Sequence, residues 1–461
     1  MAITLLDKPV RSEGMYTDEV DGYTLYYNPL GRGGVIVVDQ ESERLVSFCD
    51  GRTDLAAVIA FDGRGSDIVM QEIEMLASVE VLYVSKVQTQ QLSLERPRPR
   101  SLACWIHLTN RCNLACSYCY IHKSPGDMTP EDARRVLKKL AESAKHLSVT
   151  DIQVKLAGGE PLLRYRLLVD LIEFARELES TGSATFHFAV LTNGALVTEK
   201  AADFLRDNGV GVAVSLDGLG EVHDRNRPTK AGGSSYPMTM RGVRRLRESG
   251  MSPTIMVTVA ESNMGHLPEL VAFLLDEKLT FRLSLERDCD SGKPGLLRHE
   301  DELIEVLHRC YALIDARLPE DDVFGIQNFA DTVFNRPKTR ACGAGSNFLA
   351  VGHDLRLGVC GLGLAHPYGV VGKADLFDQL RAASGDLHRG DAKNYSDCSS
   401  CHWRTSCAGG CPLQTLATFG KFDARSPYCR VYRSVIPLIL RIKARQLIRE
   451  HKRTLAEEGV M

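Results

Sequence analysis

Between residues 101 and 290 the chain repeats one pattern six times. A short apolar run meets a polar or glycine-rich turn, and a stretch with helical spacing leads to the next run. The apolar runs are 103–108, 152–156, 185–191, 210–216, 254–260 and 279–285. Helical spacing covers 166–178, 198–208, 239–249 and 266–277. The clearest helix opens on Thr129-Pro130-Glu131-Asp132, where Thr129 suits the N-cap, Pro130 the first turn and Asp132 a capping box. Ala133, Val136, Leu137, Leu140, Ala144 and Leu147 then form one apolar stripe. Six such units predict an α/β fold whose parallel sheet is open or curled into a partial (β/α)6 barrel. Ligands of these folds gather at the carboxyl ends of the strands. On that rim stand Cys112-Asn113-Leu114-Ala115-Cys116-Ser117-Tyr118-Cys119, Ala157-Gly158-Gly159-Glu160-Pro161, Thr192-Asn193-Gly194, Ser215-Leu216-Asp217-Gly218, Glu261-Ser262-Asn263 and Arg287-Asp288-Cys289.

The first rim segment carries three cysteines at spacings of four and three. Three converging thiolates can hold three corners of an iron–sulfur cube and leave the fourth iron open. A zinc site, or three unrelated buried cysteines, are the other readings, although zinc normally takes four ligands or three plus water. The chain has 14 cysteines; one lies before residue 100 and seven lie between 342 and 429. It shows no signal peptide and no apolar run near 18 residues, which points to a cytoplasmic protein whose cysteines serve metal rather than disulfides. A net charge of −3 over 461 residues gives no reason to expect a nucleic-acid or membrane surface. That length calls for two or three domains.

Cys-x3-Cys-x-aromatic-Cys followed by Gly-Gly-Glu-Pro resembles the radical S-adenosylmethionine superfamily. The resemblance implies that Cys112, Cys116 and Cys119 ligate a 4Fe–4S cluster whose open iron chelates S-adenosylmethionine. Gly158, Gly159 and Glu160 would meet the methionine ammonium, Ser215 and Asp217 the ribose hydroxyls, and Tyr118 the adenine. A 5′-deoxyadenosyl radical would then abstract a substrate hydrogen, with a flavodoxin or ferredoxin supplying the electron. His223-Asp224-Arg225-Asn226-Arg227 reads as a solvated helix start. It also resembles a segment that follows the ribose motif in peptide-modifying members.

Helical patterns at 300–316 and 323–335 lead to a second cysteine field: Cys342, Cys360, Cys398, Cys401, Cys407, Cys411 and Cys429. Zinc is the simple reading of Cys-x2-Cys, but seven cysteines exceed the four ligands of one zinc. The pattern resembles the SPASM extension, which carries two auxiliary 4Fe–4S clusters and brings the total to three. By position, Cys342, Cys360 and Cys411 would belong to the first, and Cys398, Cys401, Cys407 and Cys429 to the second. Two departures stand out. Relatives often add a cysteine shortly after the first, where this chain has Ser346-Asn347-Phe348-Leu349. An open iron could then bind a substrate thiolate or amide, unless Cys289, Cys310, Cys104 or a non-cysteine ligand fills the gap. Sulfatase-maturating relatives carry an aspartate after the cysteine aligned with Cys360, where this chain has Gly361. The tail Val435–Lys443, with Leu447 and Ile448, reads as a basic amphipathic helix docked on the core.

Residues 1–86 read as a winged-helix-like domain. Strand-like 23–27 and 34–38 are followed by an apolar turn ending in Cys49-Asp50-Gly51, by Val69, Ile73, Leu76 and Ala77 at helical spacing, and by a strand at Val81–Val84. This order resembles the peptide-recognition element related to the pyrroloquinoline quinone chaperone, which implies a leader peptide adding a strand to a sheet edge. Residues 87–100 read as a linker, 101–299 as the barrel, and 300–461 as the cysteine-rich auxiliary-cluster domain with its C-terminal helix. The expected protein is a radical S-adenosylmethionine enzyme that cross-links a ribosomally made precursor peptide, by a thioether first and a carbon–carbon bond next. A dehydrogenase or epimerase acting on a protein or small molecule, and a non-catalytic metal-stabilised peptide-binding scaffold, are the alternatives.

Overall fold

A computed structural model describes residues 3–31, 34–84, 100–182, 184–288, 294–317, 338, 340–385 and 392–457. The helical pattern at 323–335, the body of the 87–100 linker, and Cys289 lie outside the described residues.

The N-terminal unit holds β1 (Val10–Arg11), β2 (Tyr16–Val20), β3 (Tyr23–Tyr27), β4 (Val35–Val38), α1 (Gln40–Phe48), α2 (Leu55–Asp62), α3 (Ser66–Ser78) and β5 (Leu82–Tyr83). β2, β3 and β4 form an antiparallel sheet, and β5 closes on β1. Side chains alternate across a strand, and β3 divides them between two cores. Tyr26 packs with Leu45, Val58, Val69 and Ile73 of the three helices. Leu25 and Tyr27 belong instead to the main core of the molecule.

The central unit runs β6 (Ser101–Thr109), α4 (Pro130–Leu147), β7 (Asp151–Gly158), α5 (Tyr165–Ser180), β8 (Thr185–Thr192), α6 (Glu199–Asp207), β9 (Gly211–Ser215), α7 (Glu221–Asn226), α8 (Tyr236–Glu248), β10 (Thr254–Val259), α9 (Leu267–Asp276), β11 (Phe281–Leu285) and α10 (Glu300–Ala316). β6 to β11 pair in parallel in sequence order. Thr129 caps α4, accepting the Asp132 N–H at 3.1 Å. The Asp132 carboxylate pairs with Arg135 at 3.1 Å, so the cap works from the Thr129 side. Along β6, Leu102, Cys104, Ile106 and Leu108 are buried in one core with Val136, Leu137 and Leu140 of α4. The opposite faces of all six strands line a single cavity through Trp105, Ala157, Leu191, Ala213, Ser215, Met256, Thr258 and Ser284. A sheet whose six strands line one cavity must curl around it. It stays open, because β6 pairs on its free side with β12 (Phe348–Val351), which continues into antiparallel β13 (Arg356–Gly358) and β14 (Gly369–Val370). A further helix, α11 (Leu376–Ala383), packs on α4.

The C-terminal helix, Cys429–Glu457, packs on α10 and on all three strands of the N-terminal sheet. This is the core docking expected of the tail. No helix among the described residues is long and apolar enough to cross a membrane.

Candidate active site at the carboxyl rim

The loop after β6 is held by its neighbours rather than by regular structure of its own. Ala115 N–H donates to the Pro228 carbonyl at 2.8 Å, Ser117 N–H to Asn226 at 3.1 Å, and Lys230 N–H to Asn113 at 3.2 Å. Lys123 Nζ ties back to the Leu114 carbonyl at 2.9 Å. From the β8 rim, Asn193 Nδ2 reaches Asn113 Oδ1 at 2.8 Å and approaches Cys112 Sγ at 3.9 Å. The loop is therefore clamped between the 226–230 segment and the β8 turn. All three of its cysteines line the central cavity, of about 410 Å³.

Gly158 and Gly159 line the same cavity, and both are needed by the backbone itself. A Cβ on Gly158, whose φ is +124°, would run into the Thr109 carbonyl oxygen, and one on Gly159 into that of Arg111. Gly159 N–H donates to Thr109 at 2.7 Å and Glu160 N–H to Arg111 at 2.9 Å, so the turn after β7 grips the root of the cysteine loop. Glu160 is fully buried and does not line the cavity. Its carboxylate accepts Leu162 N–H at 3.0 Å, Thr192 Oγ1–H at 2.8 Å and Asn193 N–H at 2.8 Å. Burial pushes its pKa up, and these bonds pull the other way. In this arrangement Glu160 joins the β7 and β8 rims.

Ser215 lines the cavity and Asp217 does not. Asp217 is 1% exposed, and its carboxylate accepts Thr258 N–H at 2.9 Å, Arg227 Nε–H at 2.6 Å and the Tyr118 hydroxyl. Tyr118 is on the cavity wall, with the Arg227 guanidinium 5.3 Å from its ring centre. Arg227 also approaches Cys116 Sγ at 3.9 Å. The solvated reading of 223–227 gives way here, since His223, Asn226 and Arg227 are buried. Burial, and then the Arg227 charge, press the His223 pKa down to about 4. Sequence reasoning placed Asn193 in the third rim turn and Arg227 in the 223–227 segment, but gave neither a role of its own.

Cys342, Cys360 and Cys411 line the same cavity as the three loop cysteines. Cys398, Cys401, Cys407 and Cys429 line a second cavity of about 290 Å³. Burial, and then its neighbour Cys407, push the Cys398 pKa up to about 12. Three successive residues with positive φ, Ala408, Gly409 and Gly410, connect Cys407 on the second cavity to Cys411 on the first. Among the described residues, no three cysteine, histidine or carboxylate side chains converge as a single metal ion would require. Soft thiolate donors facing cavities of this size fit iron–sulfur clusters. Cys104 and Cys310 are buried in the apolar core and line neither cavity, so they do not stand where a missing cluster ligand is needed.

Residues 106–274 match the sequence profile of the Radical SAM superfamily. The pre-heme d1 synthase of Dinoroseobacter shibae is 31% identical over 49% of this chain and 53% of its own length. The sporulation killing factor maturation protein SkfB of Bacillus subtilis is 30% identical over 37% of this chain and 38% of its own. The chain thus spans about half, or less, of the length of these relatives. Among solved structures, native anSMEcpe with bound AdoMet and Cp18Cys peptide superposes with a TM-score of 0.63 at 19% identity, covering 74% of this chain and 98% of that one. Streptococcus suis SuiB bound to precursor peptide SuiA gives 0.50 at 16% identity, covering 92% and 100%. At such identities the superpositions speak for the fold alone. The curled parallel sheet and the sequence match coincide: over residues 106–274 the chain is similar to the Radical SAM superfamily.

Proposed function

We propose that the chain is a radical S-adenosylmethionine enzyme that oxidatively cross-links a ribosomally made precursor peptide. The observation carrying this is the shared cavity: Cys112, Cys116 and Cys119 line it together with Cys342, Cys360 and Cys411. When bound, a 4Fe–4S cluster and S-adenosylmethionine would supply hydrogen-atom abstraction. Cys112, Cys116 and Cys119 would hold that cluster, while Gly158, Gly159, Ser215 and Tyr118 shape the wall where S-adenosylmethionine would lie. Arg227, Asn193 and Lys123 fix the cysteine loop. Cys342, Cys360 and Cys411 would hold one auxiliary cluster, and Cys398, Cys401, Cys407 and Cys429 the other. Trp105, Tyr120, Ile121, Phe348 and Leu362 give the cavity an apolar wall that would exclude water from a reactive substrate carbon. The N-terminal sheet would take the leader peptide as an added strand beside β2 or β4, its two edges. A flavodoxin or ferredoxin would supply the electron.

The peptide reading draws on the kinship with SkfB, and a small-molecule reading draws on the kinship with the pre-heme d1 synthase. Co-expression with candidate precursor peptides, drawn from any short open reading frame found beside the gene, separates them. The peptide is expected to lose two hydrogens by mass spectrometry, with one new ring. An unmodified peptide, together with tetrapyrrole turnover by the reconstituted protein, would reverse the assignment. Removing the cysteines of the peptide tests the thioether: a ring that still forms rules it out in favour of a carbon–carbon bond.

A further inference from the structure

An oxidative cross-link leaves a proton to be disposed of, and the cavity contains one group suited to take it. Among the described residues lining the cavity, Glu286 is the one carboxylate, and no histidine accompanies it. It stands one position beyond β11, on the rim where the other strands place Gly158, Thr192 and Ser215. Its backbone is pinned on both sides. Glu286 N–H donates to the Val259 carbonyl at 2.9 Å, and its carbonyl accepts the Tyr428 hydroxyl at 2.6 Å. Tyr428 directly precedes Cys429, so the position of Glu286 is set from the cysteine-rich unit. Its side chain, by contrast, accepts no hydrogen bond and joins no ion pair among the described residues. Two rim carboxylates that do not line the cavity are already committed: Glu160 to Thr192, Asn193 and Leu162, and Asp217 to Arg227, Tyr118 and Thr258. No proton acceptor comes from position 361 either. A Cβ on Gly361 would meet Tyr120 Oη at 2.8 Å and the Trp105 ring at 3.1 Å, so those two side chains occupy the space.

We infer that Glu286 is the general base of the cross-linking step. This rests on the proposed function. Joining a substrate C–H to an X–H partner, with X sulfur or carbon, removes two hydrogens. The first would leave as a hydrogen atom, in the abstraction that bound S-adenosylmethionine would supply. The C–X bond then forms as X–H gives up its proton to a Glu286 carboxylate oxygen. The electron left over would need a one-electron acceptor of the iron–sulfur class, which Cys342, Cys360 and Cys411 would hold. A base serves best with a pKa near the working pH. Half-buried Glu286 is displaced in that direction: burial first, then Asp288 and Glu261, push its carboxyl above the usual range, while Arg298 opposes them. Arg298 is itself paired with Glu261 at 2.7 Å. Tyr428, whose own pKa burial and Glu286 raise, and Arg287 are further titratable groups beside it.

Two measurements on the anaerobically reconstituted full chain test this. The first needs no substrate. Infrared titration of the wild type is expected to show a carboxylic-acid band persisting above the ordinary carboxylate range and missing from Glu286→Gln. Identical titrations of the two proteins would overturn the assignment. The second uses a co-expressed candidate precursor peptide and counts 5′-deoxyadenosine formed per modified peptide. In Glu286→Gln this ratio should rise about tenfold or more, in line with the usual worth of a general base, and Glu286→Asp should restore part of the coupling. An unchanged ratio would overturn the proposal, as would a variant that loses iron in step with activity, which marks a structural residue. If the wild type leaves the peptide unmodified, the cross-linking reading fails, and the infrared titration still decides whether Glu286 is a tuned carboxyl.

Discussion

Buried charge decides what single residues do at this rim. Asp217 and Arg227 form an ion pair of 2.6 Å, with side chains 0% and 9% exposed. Removing one partner of such a pair leaves the other charge buried and typically costs about 3–5 kcal/mol. Asp217→Asn is therefore expected to lower unfolding free energy by about that much and to loosen the loop bearing Cys116, read by urea titration. A loss below about 1 kcal/mol would show the pair to be dispensable. His107, 2% exposed on β6, is a second case. Burial, and then His353, lower its pKa from 6.5 to about 4. A base with a depressed folded pKa contributes no penalty above pH 6.5. As pH falls toward 4 the unfolded chain takes up the proton first, and stability is lost. The wild type should therefore lose about 3 kcal/mol relative to His107→Gln between pH 7 and pH 4; a constant difference would refute the shift. Neither burial was legible beforehand. Arg227 sits in a run of charged residues that looks solvated, and only the fold presses that run against the cysteine loop.

At the scale of elements, periodicity carried most of the information. The six apolar runs correspond to β6–β11, and Thr129 caps α4 as its sequence announces. What escaped was the sheet's continuation through β12, β13 and β14. These strands have four, three and two residues, too few for alternation to register, and β12 is recruited by β6 from more than 200 residues away. The Gly-Gly-Glu turn was legible as a site, and the structure adds a packing role that the motif does not announce. Its glycines give clearance to the Thr109 and Arg111 carbonyls, and its glutamate binds the β8 rim. Gly159→Ala should accordingly displace the root of the cysteine loop. Iron analysis after reconstitution is expected to fall by about four irons per chain, one cluster's worth, with the rest retained. Full iron content in this variant would contradict the account of the turn.

Across the whole molecule, the N-terminal unit is seated on the cysteine-rich one. Trp403 lies between Cys401 and Cys407, with its ring 5.1 Å from that of Tyr16 and 6.2 Å from that of Tyr27. Tyr27 Oη meets Ser406 Oγ at 2.9 Å, Thr405 bonds the Pro29 carbonyl, and Arg441 of the C-terminal helix pairs with Asp18 at 2.8 Å. A loop that would hold a cluster thus doubles as the seat of the sheet proposed to take the leader. Losing a buried tryptophan usually costs about 3–5 kcal/mol, so Trp403→Ala should speed amide exchange in residues 16–27 more than in β7 or β8. Equal exchange in both regions would argue against this seat. The central claim is that the cavity ringed by both cysteine sets performs radical chemistry. Anaerobic reconstitution, reduction with dithionite and addition of S-adenosylmethionine test it most directly. The account predicts 5′-deoxyadenosine and methionine from the wild type and none from the Cys112→Ala/Cys116→Ala/Cys119→Ala variant. No 5′-deoxyadenosine from the wild type, or equal amounts from both proteins, would contradict it.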